Sequence, residues 1–469
     1  MGADSIAKYI VLSIVLRMKS YIKKILPKSV RNLKHLFYAW YGAQVYHHPS
    51  EELFVIGVTG TSGKSSTIAF LRQVLESAGF RVGSLSTVDF VIAGEQKMND
   101  QKMTMLGKMK IQQYLREMVD AQCDIAIIET TSEGRVQHRH RFINYDMMLL
   151  TNLYPEHIES HGSFEKYRQA KVDIFRAVAT ARRKKSARFK TLAALNQRSE
   201  IFIKKTAIVN GDSDDRAFFL LDTFDERYTF GKEKQNTQHT IHLRASDREL
   251  SKQGLRFSVD GHAFVAPILG EYNIMNILSV IATCRALGLD WKSIIAGVAQ
   301  VQGVPGRLEF IPEAKKQGVD VIVDYAFEPV AIKALYKMVR LYKPTRIIHV
   351  FGSTGGGRDV SRRTTVGEYV GKKADICIVT DEDPYDDNPE TIIADVMSAV
   401  VSAGKEEGKN AFRFLDRGKA IQAAIDMAQK GDMILVTGKG SEQAMVVKGK
   451  LIPWDDREAV RRALAQKKK

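Results

Sequence analysis

The chain is poor in cysteine: Cys123, Cys284 and Cys377 lie far apart and show no CxxC spacing. That excludes a disulfide framework and a structural zinc site, and it fits a reducing cytoplasm. Long apolar runs are missing too. Tyr9–Leu16, the longest near the N-terminus, is broken by Ser13 and is too short to span a bilayer. No small-residue cleavage site of the secretory kind follows it. Nor is there any RNA- or DNA-binding motif, which argues against nucleic acid as a partner. With 44% hydrophobic and 26% charged residues, the chain also lacks the composition of a disordered protein.

What is present is length and positive charge. At 469 residues, two or three domains are expected. A net charge of +16 suits an anionic small substrate, an anionic membrane surface, or mere solvation of the surface. Near the start, Ile6, Ile10, Ile14, Met18, Ile22 and Ile25 recur at helical spacing, with Lys8, Arg17, Lys19, Lys23 and Lys24 between them. The pattern predicts a basic amphipathic helix ending near Pro27. Two readings stand for it: weak contact with the inner membrane surface through residues 1–26, or packing on the following domain. The basic stretch Arg182–Arg188 reads as a solvated loop.

The strongest local signal is Leu53–Thr67. The apolar run Leu53–Val58 predicts a buried parallel strand, and Thr67–Ser77 carries a helical pattern. Between them, Gly60-Thr61-Ser62-Gly63-Lys64-Ser65-Ser66 forms a Gly-rich turn before a helix N-terminus, an arrangement that holds phosphates on backbone N–H groups. Lys64 would reach the β- and γ-phosphates of a nucleotide, and the Ser65 hydroxyl would hold Mg²⁺. Further strands at Asp124–Glu129 and Tyr145–Thr151 continue the βαβ rhythm, and Glu129 and Asn152 fall at carboxyl ends of strands, where ligands of such sheets bind.

Several separate segments, in order from about Leu53 to Leu464, resemble those of the Mur ligases, and most of all the UDP-N-acetylmuramoyl-tripeptide synthetases, which add the third residue of the stem peptide. Glu129-Thr-Thr-Ser-Glu-Gly-Arg-Val-Gln137-His-Arg139 is similar to the family's Glu-Val-Ser-Ser-His-Gly-Leu-x-Gln-x-Arg. The match implies a Mg²⁺ role for Glu129 and contact of Thr131, Gln137 and Arg139 with an anionic muramoyl-peptide precursor; Glu133 stands where the family has His. Thr104 resembles one Thr of a substrate-binding pair, with Met105 in place of the other. Thr151–Gly162 resembles the segment whose His, here His157, binds a second Mg²⁺. Lys171 matches a lysine that is carbamylated in the family, which would make it an anionic metal ligand. Asn273 and Asn276 match an adenine-contacting pair, Arg307 a phosphate-contacting arginine and Asp324 a ribose-binding aspartate; Phe327 replaces a family His.

In the last third, Phe351-Gly-Ser-Thr-Gly-Gly-Gly-Arg358-Asp resembles the segment whose Arg binds the incoming amino acid's carboxylate. Glu382-Asp383-Pro384-Tyr385 stands where diaminopimelate-adding enzymes carry Asp-Asn-Pro-Arg. An acidic pocket lacking that Arg favours a cationic side chain such as lysine. Glu442, in Gly438-Lys-Gly-Ser-Glu442, would face the α-amine, with Ser441 in place of His, and Asp455-Asp-Arg-Glu458 closely matches the family's terminal motif.

The resemblance implies an α/β protein with a basic helical segment (1–50), a central P-loop-type parallel-sheet domain binding ATP (51–305) and a Rossmann-like C-terminal domain binding the amino acid (306–469). It implies an ATP-dependent amide-bond ligase of the cytoplasm, working with two Mg²⁺ ions. Lys64, Lys171 and Arg307 are its expected catalytic groups. The family normally begins with a uridine-binding domain; only about fifty residues precede the phosphate loop here. A folylpolyglutamate synthase-like ligase and a nucleotide-binding scaffold are the rival readings.

Overall fold

The computed structural model describes residues 28–156, 161–189, 201–234, 239–357 and 360–467. The amphipathic pattern of 1–26, together with His157 and Arg358, falls outside them. No helix of the described residues is long and apolar enough to cross a membrane.

The apolar run of the phosphate-loop segment becomes β1 (Phe54–Thr59), buried at every position. It lies inside a sheet of eleven strands. On one side of it come β5 (Ile125–Glu129), β2 (Val82–Leu85), β3 (Asp89–Ile92) and β4 (Glu95–Met98). On the other come β6 (Met147–Leu150), β7 (Thr206–Asn210), β8 (Glu226–Gly231), β9 (Ile241–Ser251), β10 (Gly254–Val259) and β11 (His262–Ala266). From β9 to β2 all neighbours are parallel, as the sequence leads one to expect. Both edges add antiparallel hairpins that the βαβ rhythm does not foretell. Their turns, Ala93-Gly94 and Asp260-Gly261, have positive φ at both positions, the twist that two-residue hairpins require. Helices cover both faces: Ile56, Leu71 and Ile277 pack on one, Val55, Leu115 and Phe175 on the other.

A second sheet has the order β12 (Glu309–Phe310), β13 (Asp320–Asp324), β17 (Met433–Thr437), β14 (Ile347–Phe351), β15 (Ile376–Thr380) and β16 (Ala411–Phe414). Only β12 is antiparallel, and helices again flank both faces, as in a doubly wound α/β fold. A small hairpin, β18 (Ala444–Val447) and β19 (Lys450–Pro453), stands apart.

Ahead of the central sheet, helix Lys28–Val45 buries Ala39, Gly42 and Ala43 towards helix Lys108–Asp120. Its other stripe, Val30, Leu33, Phe37 and Tyr41, is exposed. The solvated-loop reading of Arg182–Arg188 needs correction at Lys184. That side chain is buried, and its ammonium donates to Asp146 and to Leu53 O, with Lys205 on the same carboxylate. Burial lowers the Lys184 pKa to about 8. A run of basic residues reads as solvent-facing because nothing local reveals the buried aspartate it answers.

Candidate active site

The phosphate loop is built where β1 ends. Gly60 and Gly63 have φ of 149° and 77°. A Cβ on Gly60 would lie 1.9 Å from Thr151 Oγ1, and one on Gly63 2.5 Å from Asn276 Oδ1, so both positions demand glycine. Thr61 N and Ser62 N donate to Asn152 Oδ1 at 3.2 and 2.9 Å, which pins the loop to the end of β6. Gly63 caps helix Lys64–Ser77, so Lys64, Ser65 and Ser66 form its first turn, where N–H groups lack partners within the helix. The helix begins at Lys64, one turn before the expected Thr67. Lys64 Nζ donates to Gly60 O and Thr61 O at 3.1 and 3.0 Å.

Two expected metal-binding residues meet directly. Ser65 Oγ donates to Glu129 Oε2 at 2.9 Å, and Thr87 N and Oγ1 reach the same oxygen at 2.7 and 3.0 Å. Lys171, on helix Phe164–Ala179, is fully buried rather than solvated. Its Nζ donates to Gly60 O at 3.0 Å and lies 4.6 Å from the centre of the Tyr167 ring. Burial pushes its pKa well below the ordinary lysine range, and the Lys64 charge pushes the same way.

Asn276 sits against the loop, its Nδ2 donating to Asn273 Oδ1 at 2.7 Å, while Asn273 Nδ2 donates to Leu269 O at 2.7 Å. Arg307 lies 4.1 Å over the Tyr325 ring, and its buried Nε has no hydrogen-bond partner among the described residues. Asp324 Oδ1 accepts from Leu308 N and Tyr325 N at 3.1 and 2.9 Å; burial raises its pKa, although Arg307 opposes this. Gly306 approaches the 438–442 loop so closely that a Cβ would lie 2.1 Å from Ser441 N.

The four residues expected at the acceptor gather on one side. Thr131 caps helix Ser132–Val136, accepting from Gly134 N at 3.0 Å. Arg139 donates to Gln137 Oε1 and to Met105 O, which draws the Thr104 loop to that helix. The surroundings are basic. Lys108 Nζ stands 2.8 Å from His35 Nδ1; burial and Arg139 lower the Lys108 pKa to about 8. His35, on the N-terminal helix, was not foreseen here.

In the C-terminal domain, Gly355 N donates to Asp383 O at 2.9 Å, so the glycine loop leading to Arg358 lies against Asp383. Asp383 is not the uncompensated carboxylate that the sequence suggests. Lys439 Nζ donates to Asp383 Oδ2 at 2.9 Å and to Glu442 Oε2 at 2.6 Å. Lys102, from the loop after β4, bonds the same Asp383 oxygen and stands 3.1 Å from Glu442 Oε2. No local signal finds Lys102, which is 281 positions from Asp383. Further contacts join the domains: Arg362 Nη2 donates to Glu156 Oε1 at 3.1 Å, and Tyr154 OH to Glu328 Oε2 at 3.4 Å. Burial and the nearby Glu156 raise Glu328 to about 8.

Residues 58–284 match the model of the Mur ligase middle domain, and residues 306–440 that of the Mur ligase, glutamate ligase domain. The UDP-N-acetylmuramyl-tripeptide synthetase of Roseiflexus sp. (strain RS-1) is 33% identical over 432 residues, 90% of this chain and 81% of that protein. The chain belongs to the Mur ligase family. A second tripeptide synthetase, from Treponema denticola, is 32% identical over 90% of this chain and 78% of its own length. The UDP-N-acetylmuramoyl-L-alanyl-D-glutamate–2,6-diaminopimelate ligase of Geobacillus thermodenitrificans is 31% identical over 95% of this chain and 84% of its own. Among solved structures, folylpolyglutamate synthase of Mycobacterium tuberculosis shares the fold at TM-score 0.66 and 16% identity, covering 94% of this chain and 100% of that one. MurF of Acinetobacter baumannii does so at TM-score 0.63 and 17% identity, covering 92% of this chain and 81% of that one. This Mur ligase is thus an ATP-dependent enzyme that forms amide bonds.

The residues in place suit ATP and Mg²⁺. The phosphate loop has its lysine and hydroxyls, and the buried Nε of Arg307 awaits an acceptor. For Mg²⁺, a hard cation that prefers oxygen, the described residues offer Ser65 Oγ and one carboxylate, Glu129. Among the described residues no group of three His, Cys, Asp or Glu could hold a metal ion. A carbamate on Lys171 would supply the missing anionic oxygens.

Proposed function

We propose that this Mur ligase couples an amino acid to a carboxyl group of an anionic muramoyl-peptide acceptor through an acyl phosphate, in peptidoglycan synthesis. One observation carries the reading. Arg362 and Tyr154 hold the phosphate-loop domain against the domain that carries the Asp383–Glu442 pocket, and Lys102 reaches from the one into the other, so activation and amine attack can share one cleft.

In this reading, residues 51–305 bind ATP and residues 306–469 the amino acid. Gly60, Thr61, Gly63, Lys64, Ser65 and Ser66 cradle the phosphates; Asn273 and Asn276 take the adenine, and Asp324 the ribose. Lys64 and Arg307 neutralise charge growing on the γ-phosphoryl group as the acceptor carboxylate attacks it and ADP leaves. The amine nitrogen then bonds to the acyl carbon, phosphate departs and the amine proton passes to solvent. Arg358 holds the amino acid's carboxylate, and Asp383 and Glu442 take its amines, which favours a lysine-like substrate. Thr104, Thr131, Gln137 and Arg139 grip the acceptor, and the basic setting of Lys108 and His35 supports an anionic one.

Two Mg²⁺ ions, held by Ser65, Glu129, His157 and a carbamate on Lys171, would supply charge neutralisation at the phosphates. The burial of Lys171, which pushes its pKa well below the ordinary lysine range, supports the carbamate, because only an unprotonated amine adds to CO₂, forming the N–C bond and releasing a proton. The exposed Val30, Leu33, Phe37 and Tyr41 stripe, next to the basic residues 1–26, supports weak contact with an anionic membrane face inside the cell.

Purified protein, ATP and Mg²⁺ should release ADP only when amino acid and acceptor are both present. Muramoyl dipeptide with and without UDP should be tried, with product mass as the readout. A folate-type product, or no amino-acid-dependent ADP release under any condition, would sink the proposal.

A further inference from the structure

The amino-acid pocket holds more charge than one domain supplies. Lys439 is fully buried and spends its three N–H donors on Asp383 Oδ2, Glu442 Oε2 and Ala444 O, at 2.9, 2.6 and 2.8 Å. It is saturated within its own domain and has no freedom to leave. Within that domain Asp383 and Glu442 share the one Lys439 ammonium, and the buried Glu382 carboxylate lies near both, so the site is rich in negative charge. Buried carboxylates tolerate that badly, so the site needs one further cation.

Lys102 provides it from the other domain. Its Nζ bonds Asp383 Oδ2 and lies 3.1 Å from Glu442 Oε2, and its side chain is only 8% exposed. Among the described residues it meets no acceptor beyond these two carboxylates, unlike Lys439, and it stands on a connecting loop with φ of +50° rather than inside a sheet or helix. Of the two ammonium groups, Lys102 is the exchangeable one.

We propose that Lys102 is a specificity-determining residue: its ammonium occupies the seat of a positive group of the incoming amino acid, so that only an amino acid bringing its own cation displaces it at no cost in buried charge. The inference rests on reading Asp383 and Glu442 as the amino-acid pocket. A cationic side chain replaces one ammonium by another. A neutral or acidic one would either strand a carboxylate or have to fit beside Lys102. Displacement also breaks a bond between the domains and frees a loop that carries Thr104 two residues further on.

The test is steady-state ADP release against L-lysine concentration, with the full chain, saturating ATP and acceptor. Lys102→Met removes the competing ammonium and should lower KM for L-lysine at least fivefold. Lys102→Arg restores a cation and should keep KM within twofold of the parent. An unchanged or raised KM in Lys102→Met overturns the proposal. Because a variant can fail to fold, the parent enzyme offers a second measurement: acylation of lysines by an amine-reactive ester, located by peptide mass spectrometry. Lys102 should be protected without amino acid and become labelled when L-lysine is added; labelling that ignores saturating L-lysine overturns the idea. Parent enzyme that turns over with an amino acid while Lys102→Met leaves KM untouched defeats this inference alone. No amino-acid-dependent turnover at all defeats the ligase reading beneath it.

Discussion

Lys171 Nζ donates to the carbonyl oxygen of Gly60 at 3.0 Å, which places a buried amine under the first glycine of the phosphate loop. The neighbouring Lys64 ammonium binds that same carbonyl at 3.1 Å. Burial, and then the nearby Lys64 charge, suppresses the charge of Lys171.

Lys171→Ala should therefore lower amino-acid-dependent ADP release by about 100-fold or more, the scale seen when one transition-state contact is removed. Formate or acetate, which can place a carboxylate in the vacated space, should restore part of it. Activity of the variant at parental level would show that no anion at this position is needed.

Arg417 and Asp456 form a buried bidentate pair, with both contacts at 2.7 Å, and Arg417 also donates to Thr437 O at 2.7 Å and Asp381 O at 3.3 Å. The pair thus braces the strand ends that carry Asp383. Arg417→Met leaves the buried Asp456 without a cation, with Trp454 Nε1 still donating to its Oδ1 at 2.8 Å, and should cost roughly 3–5 kcal/mol. Urea denaturation gives the value. A loss below about 1 kcal/mol would mean that the site relaxes or takes in water.

Glu328 bridges the domains through Tyr154 and lies beside Glu156; burial, then Glu156, raises its pKa to about 8. In an unfolded chain a glutamate titrates near about 4.3. Between those values the folded protein binds one proton more than the unfolded chain, so stability should fall as pH rises through that window. Urea midpoints measured at several pH values across it should show the decline in the parent and a flatter profile in Glu328→Gln. Parallel profiles would place the pH dependence elsewhere.

Much of this architecture was legible before any coordinates. Leu53–Val58 is apolar without interruption because β1 is covered on both faces, and glycine stands at 60 and 63 because the turn takes positive φ there, close against Thr151 and Asn276. Asp260-Gly261 is a dipeptide of the kind two-residue hairpin turns require, whereas the βαβ rhythm of Leu53–Thr151 announces parallel strands alone. Departures from the family pattern, such as Phe327 and Tyr385, were visible as substitutions. What they touch was not.

Local order along the chain thus settled β1, its parallel neighbours β5 and β6 and the Gly-rich turn, since each depends on residues within a few positions of one another. The three-dimensional packing alone decided the charge states. That the Lys171 pKa is lowered, Lys184 buried on Asp146, the Glu328 pKa raised and Asp383 balanced by Lys102 depends on desolvation and on partners up to 281 positions away. Burial and charge pairing are properties of space, and no periodicity in the residues records them.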